Sequence, residues 1–319
     1  MSLYPSVPDY DLVIIGSGIA GLAAARAATE QGLSVKIFDK GQRIGGRAGT
    51  RRADGFTFTH GAQFLTARSA KFRNICELAI SEDALAKWRI DDKSVLVGSP
   101  TMRDFSLFLG RNLDISQSVE ITDIKEIDNH LLFLEATGPV ASGKCTIVTP
   151  PAPQTAVLLR QIAPALAQTA DKAAYAPCWT AMFGFKEAPP LLTTAEPLQF
   201  DNGPIALANF EANRPGSHNK NFALTIQASA EWSTLHLEDS SKQTGRTLFS
   251  ELTNLLGDQM PPPVYEGCHR WRYAKVTKSA ATDRLTSDCG RIAIAGDWII
   301  GPRIEAAYLS GLRAFEQLN

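Results

Sequence analysis

Three glycines near the N-terminus have the spacing that brings a main chain close to phosphate groups. Gly16, Gly18 and Gly21 follow an apolar run over 12–15 and open a helical pattern over 19–31. At this spacing the first glycine allows a tight turn, the second lets the backbone approach a pyrophosphate, and the third lets the helix pack on the strand. The N–H groups of the first helical turn then face the phosphates. The same glycines could serve only the packing of an ordinary strand and helix, so further residues must decide.

Asp39 provides the carboxylate that a bound ribose needs. It ends a strand that the pattern predicts over 34–38, and it follows Gly21 by 18 positions. That separation is close to the roughly 20 residues at which an acidic side chain accepts from a ribose hydroxyl. The alternative is a helix cap or a surface charge, but the glycine turn ahead of Asp39 favours the ribose role.

A nicotinamide dehydrogenase and a flavoprotein both fit the residues described so far, and a second glycine pair distinguishes between them. Gly45 and Gly46 precede Arg47 in the segment GQRIGGRAGTRR. A flexible loop with a guanidinium fork could hold the far end of a long dinucleotide. The alternative is a solvated basic loop, since four arginines lie between positions 43 and 52.

The elements that would position these residues alternate between strands and helices. A short strand is predicted over 291–295, before Gly296 and Asp297, and Gly301-Pro302 opens a helix with apolar residues every three or four positions. In the middle of the chain we predict a helix over 156–166 and strands at 178–185, 205–210 and 222–228, as in a sheet with helices. A strand over 145–149 ends at a cluster of three prolines between 150 and 153, which predicts a hinge between domains.

Composition excludes several classes of protein. The chain has 319 residues, 44% of them apolar, which predicts two domains. Its 32 basic and 33 acidic residues give no overall field for nucleic acid or an anionic membrane. Five scattered cysteines and five dispersed histidines indicate no disulfide framework and no metal site. No apolar run approaches the length of a membrane span, and the first ten residues lack the basic region and apolar core of a signal peptide. We therefore expect a soluble cytoplasmic protein.

The motifs together resemble the FAD-binding half of the flavin amine oxidase superfamily. The resemblance rests on GSGIAG at 16–21, on Asp39-Lys40 and on Gly-Gly-Arg at 45–47. The renalase branch of that superfamily is similar in further stretches, and this similarity extends over nearly the whole chain. These stretches are GAQFLTAR at 61–68, TPPAPQ at 149–154, HRWRYA at 269–274 and AGDWIIGPRIEAAYLSG at 295–311.

The resemblance implies an α/β fold with a Rossmann-like FAD-binding domain on a parallel sheet. A second, substrate domain would contain a mixed or antiparallel sheet, as in amine oxidases and p-hydroxybenzoate hydroxylase. We place the FAD domain at 1–75, 103–155 and 275–319, and the substrate domain at 76–102 and 156–274. The FAD would be noncovalent, because the turn at 301–306 lacks the cysteine that covalently flavinylated relatives carry there.

Positions that match the superfamily motifs imply the residues that bind FAD. In the C-terminal part, Asp297 would accept from the ribityl chain or bridge a pyrophosphate-bound water. The amides at 303–306 would meet the N1–C2=O edge of the flavin, where a helix dipole favours negative charge. The expected FAD-binding residues are Gly16, Gly18, Ile19, Ala20, Gly21, Asp39, Lys40, Gly46, Arg47, Gly61, Ala62, Gln63, Ile121, Gly296, Asp297, Arg303, Ile304 and Glu305.

The renalase resemblance also implies a reaction. Renalases oxidise isomeric dihydronicotinamide dinucleotides, 2- or 6-dihydro-NAD(P), by hydride transfer to flavin N5, and O2 is reduced to H2O2. Such a transfer needs no general base, so no catalytic side chain is assigned. The candidate pocket residues are Asn209, Arg214, Gln227, Trp232, Tyr273 and Trp298.

One departure from that branch bears on the substrate. Gln227 stands where bacterial renalases have a histidine, and it cannot titrate near neutrality. Arg214 offers a guanidinium fork for a substrate pyrophosphate. A second hypothesis is a flavin amine oxidase or desaturase, and a third is a noncatalytic binding module on the same fold, as in the Rab GDP-dissociation inhibitors.

Overall fold

The chain forms two compact units in a computed structural model that describes residues 8–90, 92–189, 196–217, 222–257 and 260–318. The first unit consists of residues 1–46, 106–174 and 276–319. The second unit consists of residues 47–105 and 175–275. Each unit is therefore assembled from segments that are distant in sequence.

Sixteen strands and nine helices are defined among the described residues, together with a short 3-10 helix at Glu211–Asn213. The strands are β1 Tyr10–Ile15, β2 Val35–Asp39, β3 Arg51–Ala53, β4 Phe56–Phe58, β5 Leu85–Ile90, β6 Lys93–Gly98, β7 Asp114–Gln117, β8 Asp123–Ile127, β9 His130–Glu135, β10 Gly138–Val148, β11 Ala174–Phe185, β12 Leu198–Gln199, β13 Ile205–Phe210, β14 Phe222–Ala228, β15 Tyr265–Lys278 and β16 Ile292–Ile294. The helices are α1 Ile19–Glu30, α2 Ala70–Ser81, α3 Met102–Leu109, α4 Ala152–Leu159, α5 Pro164–Ala170, α6 Ala230–Leu235, α7 Ser241–Leu256, α8 Asp297–Ile300 and α9 Ile304–Leu318.

A seven-stranded mixed sheet organises the first unit. Its order is β7-β2-β1-β10-β9-β8, and β16 pairs with β10. The pairs β1/β2, β1/β10, β2/β7 and β10/β16 are parallel, whereas β8 and β9 extend the sheet as antiparallel strands. Strand β1 reads as a continuous apolar run because the strands of such a sheet are buried on both faces. The parallel sheet that the sequence predicts is confirmed.

Helices α1 and α9 pack closely in the first unit, although their positions in the sequence are far apart. A Cβ added at Gly311 in α9 would lie 2.1 Å from the carbonyl oxygen of Ala20 in α1. Ala23, Ala24 and Ala28 of α1 are buried, so small side chains keep the helix surface flat. Close helix packing of this kind requires glycine at position 311.

The second unit contains a five-stranded sheet of order β12-β13-β14-β11-β15. Strands β12, β13, β14 and β11 are antiparallel to their neighbours in that order. One face is apolar and packs against Leu248 and Leu252 of α7. Because side chains alternate along a strand, Thr225 and Gln227 of β14 lie on the other face. That face carries the hairpin of β3 and β4, whose Phe56 and Phe58 form a small core with β11 and β14.

The unit boundaries differ from the predicted domain boundaries. The chain crosses between the units at 46/47, 105/106, 174/175 and 275/276, whereas the sequence places boundaries at 75/76, 102/103, 155/156 and 274/275. Residues 47–75 lie in the second unit because the β3–β4 hairpin packs on β11 and β14. The proline cluster does not coincide with a crossing, since Pro151 is the N-cap residue of α4 inside the first unit.

The helix predicted over 156–166 is wrong in its extent. Two short helices, α4 and α5, occupy this region, and the helical conformation is interrupted between Leu159 and Pro164. Pro164 lies in the first turn of α5, where its missing N–H costs nothing, but it cannot continue a preceding helix. The apolar periodicity carries across this break, which is why the pattern reads as one helix.

Candidate functional site

The N-terminal glycine turn has the geometry that the sequence predicts. Gly16 adopts a positive φ of 102°, and its N–H donates to the carbonyl of Phe38 at 2.8 Å. A Cβ at Gly21 would lie 2.0 Å from the carbonyl oxygen of Gly16, so glycine is required there for packing. A Cβ at Gly18 would meet nothing within 4 Å, although Gly18 is the N-cap of α1. The open space at Gly18 is where a phosphate could approach the backbone.

Asp39 binds the glycine turn directly. Its Oδ2 accepts from the Ser17 N–H at 2.5 Å and from the Ser17 hydroxyl at 2.7 Å. Its Oδ1 accepts from the Gly41 N–H at 2.6 Å. The carboxylate is therefore fixed at the end of β2 beside the start of α1, and each oxygen still has acceptor capacity for a ribose hydroxyl. Sequence reasoning missed Ser17, whose signal is a hydroxyl between the first two glycines.

The second glycine loop lies against the first. The Gly45 N–H donates to the carbonyl of Ser17 at 2.9 Å. Gly46 has a positive φ of 53°, and its added Cβ would lie 3.6 Å from Cα of Gly18. Gly46 therefore belongs with the candidate phosphate site. Lys40, in contrast, forms an exposed ion pair with Glu120.

Residues after β7 complete the surroundings of Asp39. The Ser118 N–H donates to Gly41 and the Val119 N–H donates to Asp39, both at 3.0 Å and both to carbonyl oxygens. These bonds bring Ile121, which is buried, into the first unit near the end of β2. The sequence placed this residue through the family resemblance alone.

Thr149 is a further residue that sequence reasoning did not assign to the turn. Its hydroxyl donates to the carbonyl of Ile15 at 2.8 Å and lies 3.2 Å from that of Gly16. A Cβ at Gly16 would lie 2.4 Å from the same hydroxyl oxygen. The end of β10 therefore shapes the glycine turn from the neighbouring strand.

The C-terminal Gly296–Asp297 turn follows β16, as predicted. Gly296 has a φ of 151°, and its N–H donates to the Ser310 hydroxyl at 2.9 Å. Asp297 is buried at the start of α8. Trp298 is wholly buried, and its indole N–H donates to the carbonyl of Pro150 at 3.2 Å. The ring of this candidate pocket residue thus belongs to the core of the first unit.

Helix α9 begins at Ile304, directly after the predicted Gly301-Pro302 start. The N–H of Ala307 donates to the carbonyl of Arg303 at 3.1 Å. The N–H group of Ile304 precedes that bond, in the first turn, where an α-helix offers no carbonyl partner of its own. The first turn of α9 therefore has the polarity that a carbonyl edge or an anion requires.

These features of the first unit fit a dinucleotide. The turn combines an open approach at Gly18, a fixed carboxylate at Asp39 and the free N-terminal end of α1. A phosphate fits the first and third features, and a ribose fits the second.

In the second unit, the site segment is residues 59–63, which contains the predicted flavin-lining Gly61, Ala62 and Gln63. The carbonyl of Thr59 accepts from Nε2 of Gln63 at 2.5 Å. The carbonyl of His60 accepts from the Trp271 indole N–H at 2.8 Å. A side chain from β15 and one from the segment itself therefore bind its first two carbonyl groups.

Two candidate pocket residues bind the other end of the site segment. Nε2 of Gln227 donates to the carbonyl of Gly61 at 2.7 Å. Nη1 of Arg214 donates to the carbonyl of Gln63 at 2.8 Å. These bonds occupy the carbonyl groups of Gly61 and Gln63. The N–H groups of the same two residues find no acceptor in the part of the chain that the structure describes.

A buried carboxylate anchors the start of the site segment. Glu211 accepts from the Thr59 N–H at 2.7 Å, from the Thr59 hydroxyl at 2.9 Å and from the Thr225 hydroxyl at 3.2 Å. It also pairs with Arg214 at 3.7 Å, and Arg214 lies over the ring of Trp88. Burial raises the pKa of Glu211, and the charge of Arg214 opposes this rise. Arg214 is 3% exposed, so its guanidinium is held inside the second unit.

Arg47, which follows the second glycine loop in the sequence, contacts the site segment. Its carbonyl accepts from the Ala62 N–H at 2.9 Å, and a Cβ at Gly61 would lie 2.0 Å from that oxygen. Its guanidinium donates to the carbonyl of Ala274 at 3.2 Å and lies over the ring of Tyr175. Close approach of the two chain segments therefore requires glycine at position 61.

Two histidines and a tryptophan form an aromatic cluster beside the site segment. The rings of His60 and His269 are 5.2 Å apart, and Trp271 lies 5.1 Å from the first and 4.3 Å from the second. Burial, with the charges of His269 and Arg51, lowers the pKa of His60 to about 3. Burial likewise lowers the pKa of His269. Both rings are therefore neutral at pH 7.

The remaining candidate residues lie at different places in the second unit. Tyr273 on β15 makes an edge contact with Tyr175, with ring centroids 5.5 Å apart. Trp232 in α6 stacks on His236 at 4.1 Å and packs on the apolar core beside α7. Asn209 is 1% exposed on β13. The structure thus brings Gln227 and Arg214 to the site segment but gives Trp232 a packing role.

Comparison with sequence families locates the N-terminal motif. Residues 14–77 match the family described as the NAD(P)-binding Rossmann-like domain. AofH of Mycobacterium tuberculosis (strain CDC 1551 / Oshkosh), whose name describes a flavin-containing monoamine oxidase, is 46% identical over 55 residues. The 4,4'-diapophytoene desaturase (4,4'-diaponeurosporene-forming) of Staphylococcus aureus (strain Newman) is 46% identical over 50 residues. These matches cover 17% and 16% of this chain but only 12% and 10% of the two relatives.

Comparison with solved structures extends over the whole chain. Cyclohexylamine oxidase from Brevibacterium oxydans IH-35A has a TM-score of 0.73 and 12% sequence identity, with 98% of this chain and 99% of that chain covered. At this identity the likeness shows the fold. The predicted fold class, an α/β protein with a Rossmann-like dinucleotide-binding domain and additional antiparallel sheets, is confirmed.

The described residues contain neither a helix suited to crossing a bilayer nor a group of three metal-ligating side chains. Their five cysteines are free thiols. Burial raises the pKa of Cys178 to about 11 and that of Cys268 to about 12. These two thiols are therefore protonated at pH 7.

Proposed function

We propose that the protein is an FAD-dependent oxidoreductase that binds its cofactor noncovalently. The observation that carries this proposal is the glycine turn of the first unit with Asp39 fixed against it. The site segment supports a flavin rather than a nicotinamide cofactor, because four of its five carbonyl groups accept side-chain hydrogen bonds and the N–H groups of Gly61 and Gln63 remain for a ligand. The flavin-containing relative AofH agrees with this cofactor.

The chain contributes binding and orientation to the reaction. FAD, when bound, supplies the hydride acceptor and passes electrons to O2, which gives H2O2. Gly18 would admit the pyrophosphate to the backbone, and Asp39 would bind the ribose of the adenosine part. Gln227, Trp271 and Arg214 hold the site segment in one conformation, and the first turn of α9 would favour negative charge on a bound cofactor.

We further propose a dihydronicotinamide dinucleotide, 2- or 6-dihydro-NAD(P), as the substrate. The side chains that bind the site segment offer no unoccupied general base, since Gln227 is an amide and Glu211 already accepts from Thr59 and Thr225 beside Arg214. The neutral ring of His60 beside them provides no charge at pH 7. A dihydropyridine needs no such base, because its own nitrogen drives hydride departure. This chemistry suits the residues present.

A second candidate is the oxidation of an amine. The edge contact of Tyr175 with Tyr273 offers ring faces to a cationic or neutral amine group. The names of AofH and of cyclohexylamine oxidase point in the same direction. We rank this candidate second because Arg47 already lies over the ring of Tyr175.

Anaerobic reduction of the flavin tests the choice of substrate. The purified holoprotein is mixed in a stopped-flow instrument with 2-dihydro-NAD(P), 6-dihydro-NAD(P), cyclohexylamine or putrescine. We expect rapid bleaching of the flavin band by one of the dihydropyridines and slow or no bleaching by the amines. Bleaching by an amine alone would move the second candidate to first place. A purified protein that never carries a flavin would favour the noncatalytic binding module.

A further inference from the structure

Three buried side chains in the second unit carry polar atoms without partners among the described residues. They are Oε1 of Gln63, both amide atoms of Asn209, and Nη2 of Arg214, whose Nε makes no hydrogen bond but lies 3.7 Å from Glu211. The three residues are 5%, 1% and 3% exposed. Leaving a buried polar group unpaired is destabilising, so several such groups in one region call for an explanation.

A continuous chain of contacts places the three residues in one polar layer. Gln63 donates to the carbonyl of Thr59, and Thr59 donates to Glu211. Glu211 accepts from Thr225, whose Cα pairs with that of Asn209 in the ladder of β13 and β14. Side chains at directly paired positions lie on the same face of a sheet, about 5 Å apart. The unpartnered atoms therefore belong to the face that carries the site segment.

The mixture of donors and acceptors defines the chemistry of a ligand. Asn209 offers one NH2 group and one carbonyl whichever way its amide is oriented, Gln63 offers an acceptor, and Arg214 offers donors. A carboxylate ligand would leave both amide oxygens facing an acceptor. An ammonium ligand would face the donors of Arg214. A planar group with an N–H beside a carbonyl matches both kinds of atom.

We propose that Gln63, Asn209 and Arg214 form a recognition site for an amide-like group, a carboxamide or a cyclic imide. The inference rests on the proposed function, which provides two sources of this chemistry: the carboxamide of a nicotinamide substrate and the pyrimidine edge of the flavin. Arg214 acts here from inside the unit, held by Glu211 and Gln63, and not as a fork for a substrate pyrophosphate.

The experiment compares Asn209→Leu with Asn254→Leu, the same substitution at an exposed position on α7. One arm measures FAD affinity and the visible spectrum on reconstitution of the apoprotein. The other arm measures binding of NAD+, of its 3-acetylpyridine analogue and of its nicotinic acid analogue to the holoprotein. The acetyl analogue lacks the N–H group, and the acid analogue has only acceptors. All of these readouts are independent of turnover.

We expect Asn209→Leu to weaken the binding of one of the two ligands by at least about tenfold. The reason is that a ligand amide whose hydrogen-bond partner has been removed is left unpaired in a buried site. If the substrate is the ligand, the wild-type preference for NAD+ over both analogues disappears and FAD affinity is unchanged. If the flavin is the ligand, FAD affinity falls and the visible band shifts. Asn254→Leu should leave both measurements unchanged.

Two results would overturn the proposal. One is a folded Asn209→Leu variant with wild-type FAD affinity and wild-type discrimination among the three dinucleotides, which would mean that the buried atoms bind only water. The other is an Asn209→Asp variant, close in shape, that behaves as wild type; this variant also decides the question if the leucine variant does not fold. Failure of the proposed function is distinguishable, because it appears as absence of flavin reduction in the wild type.

Discussion

At the scale of single residues, Gly18 and Gly21 lack a side chain for different physical reasons. Gly21 is needed for packing, because its Cβ would overlap the carbonyl of Gly16. Gly18 has an ordinary φ of −74° and open space around its Cβ. Among the described residues, nothing therefore requires glycine at position 18, whereas a bound pyrophosphate would.

The substitution Gly18→Ala tests this distinction. We expect a thermal midpoint of the apoprotein close to the wild-type value and an FAD affinity lower by about tenfold or more, since a Cβ blocks close approach of the phosphates. Thermal unfolding and FAD titration of the apoprotein provide the two measurements. Unchanged FAD affinity would contradict the placement of the pyrophosphate at this turn.

His60 makes the stability of the protein depend on acid. Its pKa in the folded protein is lowered to about 3 from the ordinary value of 6.5, chiefly by burial. Between these values the unfolded chain binds a proton that the folded protein does not, so stability is present at neutral pH and is lost as the pH falls from about 6.5 towards 3. Urea unfolding of His60→Gln at several pH values should give a shallower dependence than wild type. Parallel profiles of the two proteins would refute this assignment.

At the scale of elements, the site segment is fixed by side chains from β14, β15 and the 3-10 helix. The most buried of these contacts is the pair of Glu211 and Arg214. Removal of one partner leaves the other charge unpaired in the interior. We therefore expect Glu211→Ala to lower the free energy of unfolding by about 3–5 kcal/mol.

The control for Glu211 is an exposed ion pair of similar composition. Glu238 binds Arg270 and Arg272 at the surface, where water competes for the same groups. Chemical denaturation of Glu238→Ala should give a free energy of unfolding near that of wild type. Equal losses in the two variants would show that burial is not the cause.

Helix packing in the first unit predicts a second pair of variants. Gly311→Ala places a Cβ 2.1 Å from Ala20, and overpacking of this kind costs about 1–3 kcal/mol. Gly245→Ala in α7 places a Cβ 3.2 Å from that of Cys268, and the gain of about 1 kcal/mol in helix propensity offsets this contact. Urea denaturation should show a loss for the first variant and little change for the second. A loss at position 245 as large as that at 311 would show that the approach to Ala20 is not the cause.

Local sequence patterns predict strands and helices well where one hydrophobic periodicity ends at polar or turn-forming residues. Strands β13 and β14 have the predicted bounds, 205–210 and 222–228, because alternation ends at polar or turn residues. Helix α1 ends one residue earlier than predicted, at Glu30. The region 156–166 fails because alanine and leucine continue through the turn between α4 and α5, where Pro164 alone marks the break.

At the scale of the whole molecule, the sequence predicts the glycine turn but not what lies against it. Asp39 is found by its distance from Gly21, a local regularity. The contacts of Gly311 with Ala20 and of Gln227 with Gly61 join residues that are far apart in sequence. No spacing rule reports such contacts, because they depend on strand order. The unit boundaries depend on such contacts too, since the β3–β4 hairpin packs on strands that come more than a hundred residues later.

Whether the proposed FAD is bound noncovalently can be measured directly on the whole protein. We expect heat-denatured protein to release its flavin into the supernatant, since the described cysteines lie outside the turn at 301–306. Added FAD should raise the thermal midpoint of the apoprotein, with a stabilisation of about 2.7 kcal/mol at a hundredfold excess over the dissociation constant. Flavin that remains in the precipitate would indicate a covalent link.

The order of strands in the first unit also dictates when it can fold during synthesis. Strand β1 pairs with β10, β10 pairs with β16, and α1 packs on α9, the last helix of the described chain. A ribosome therefore releases the nucleotide turn long before the partners of its sheet and helix exist. Native contacts of such high sequence separation form slowly and leave apolar surface exposed in the meantime. We expect the nascent chain to depend on chaperones until α9 emerges, because α1 has its packing partner only when α9 has been synthesised.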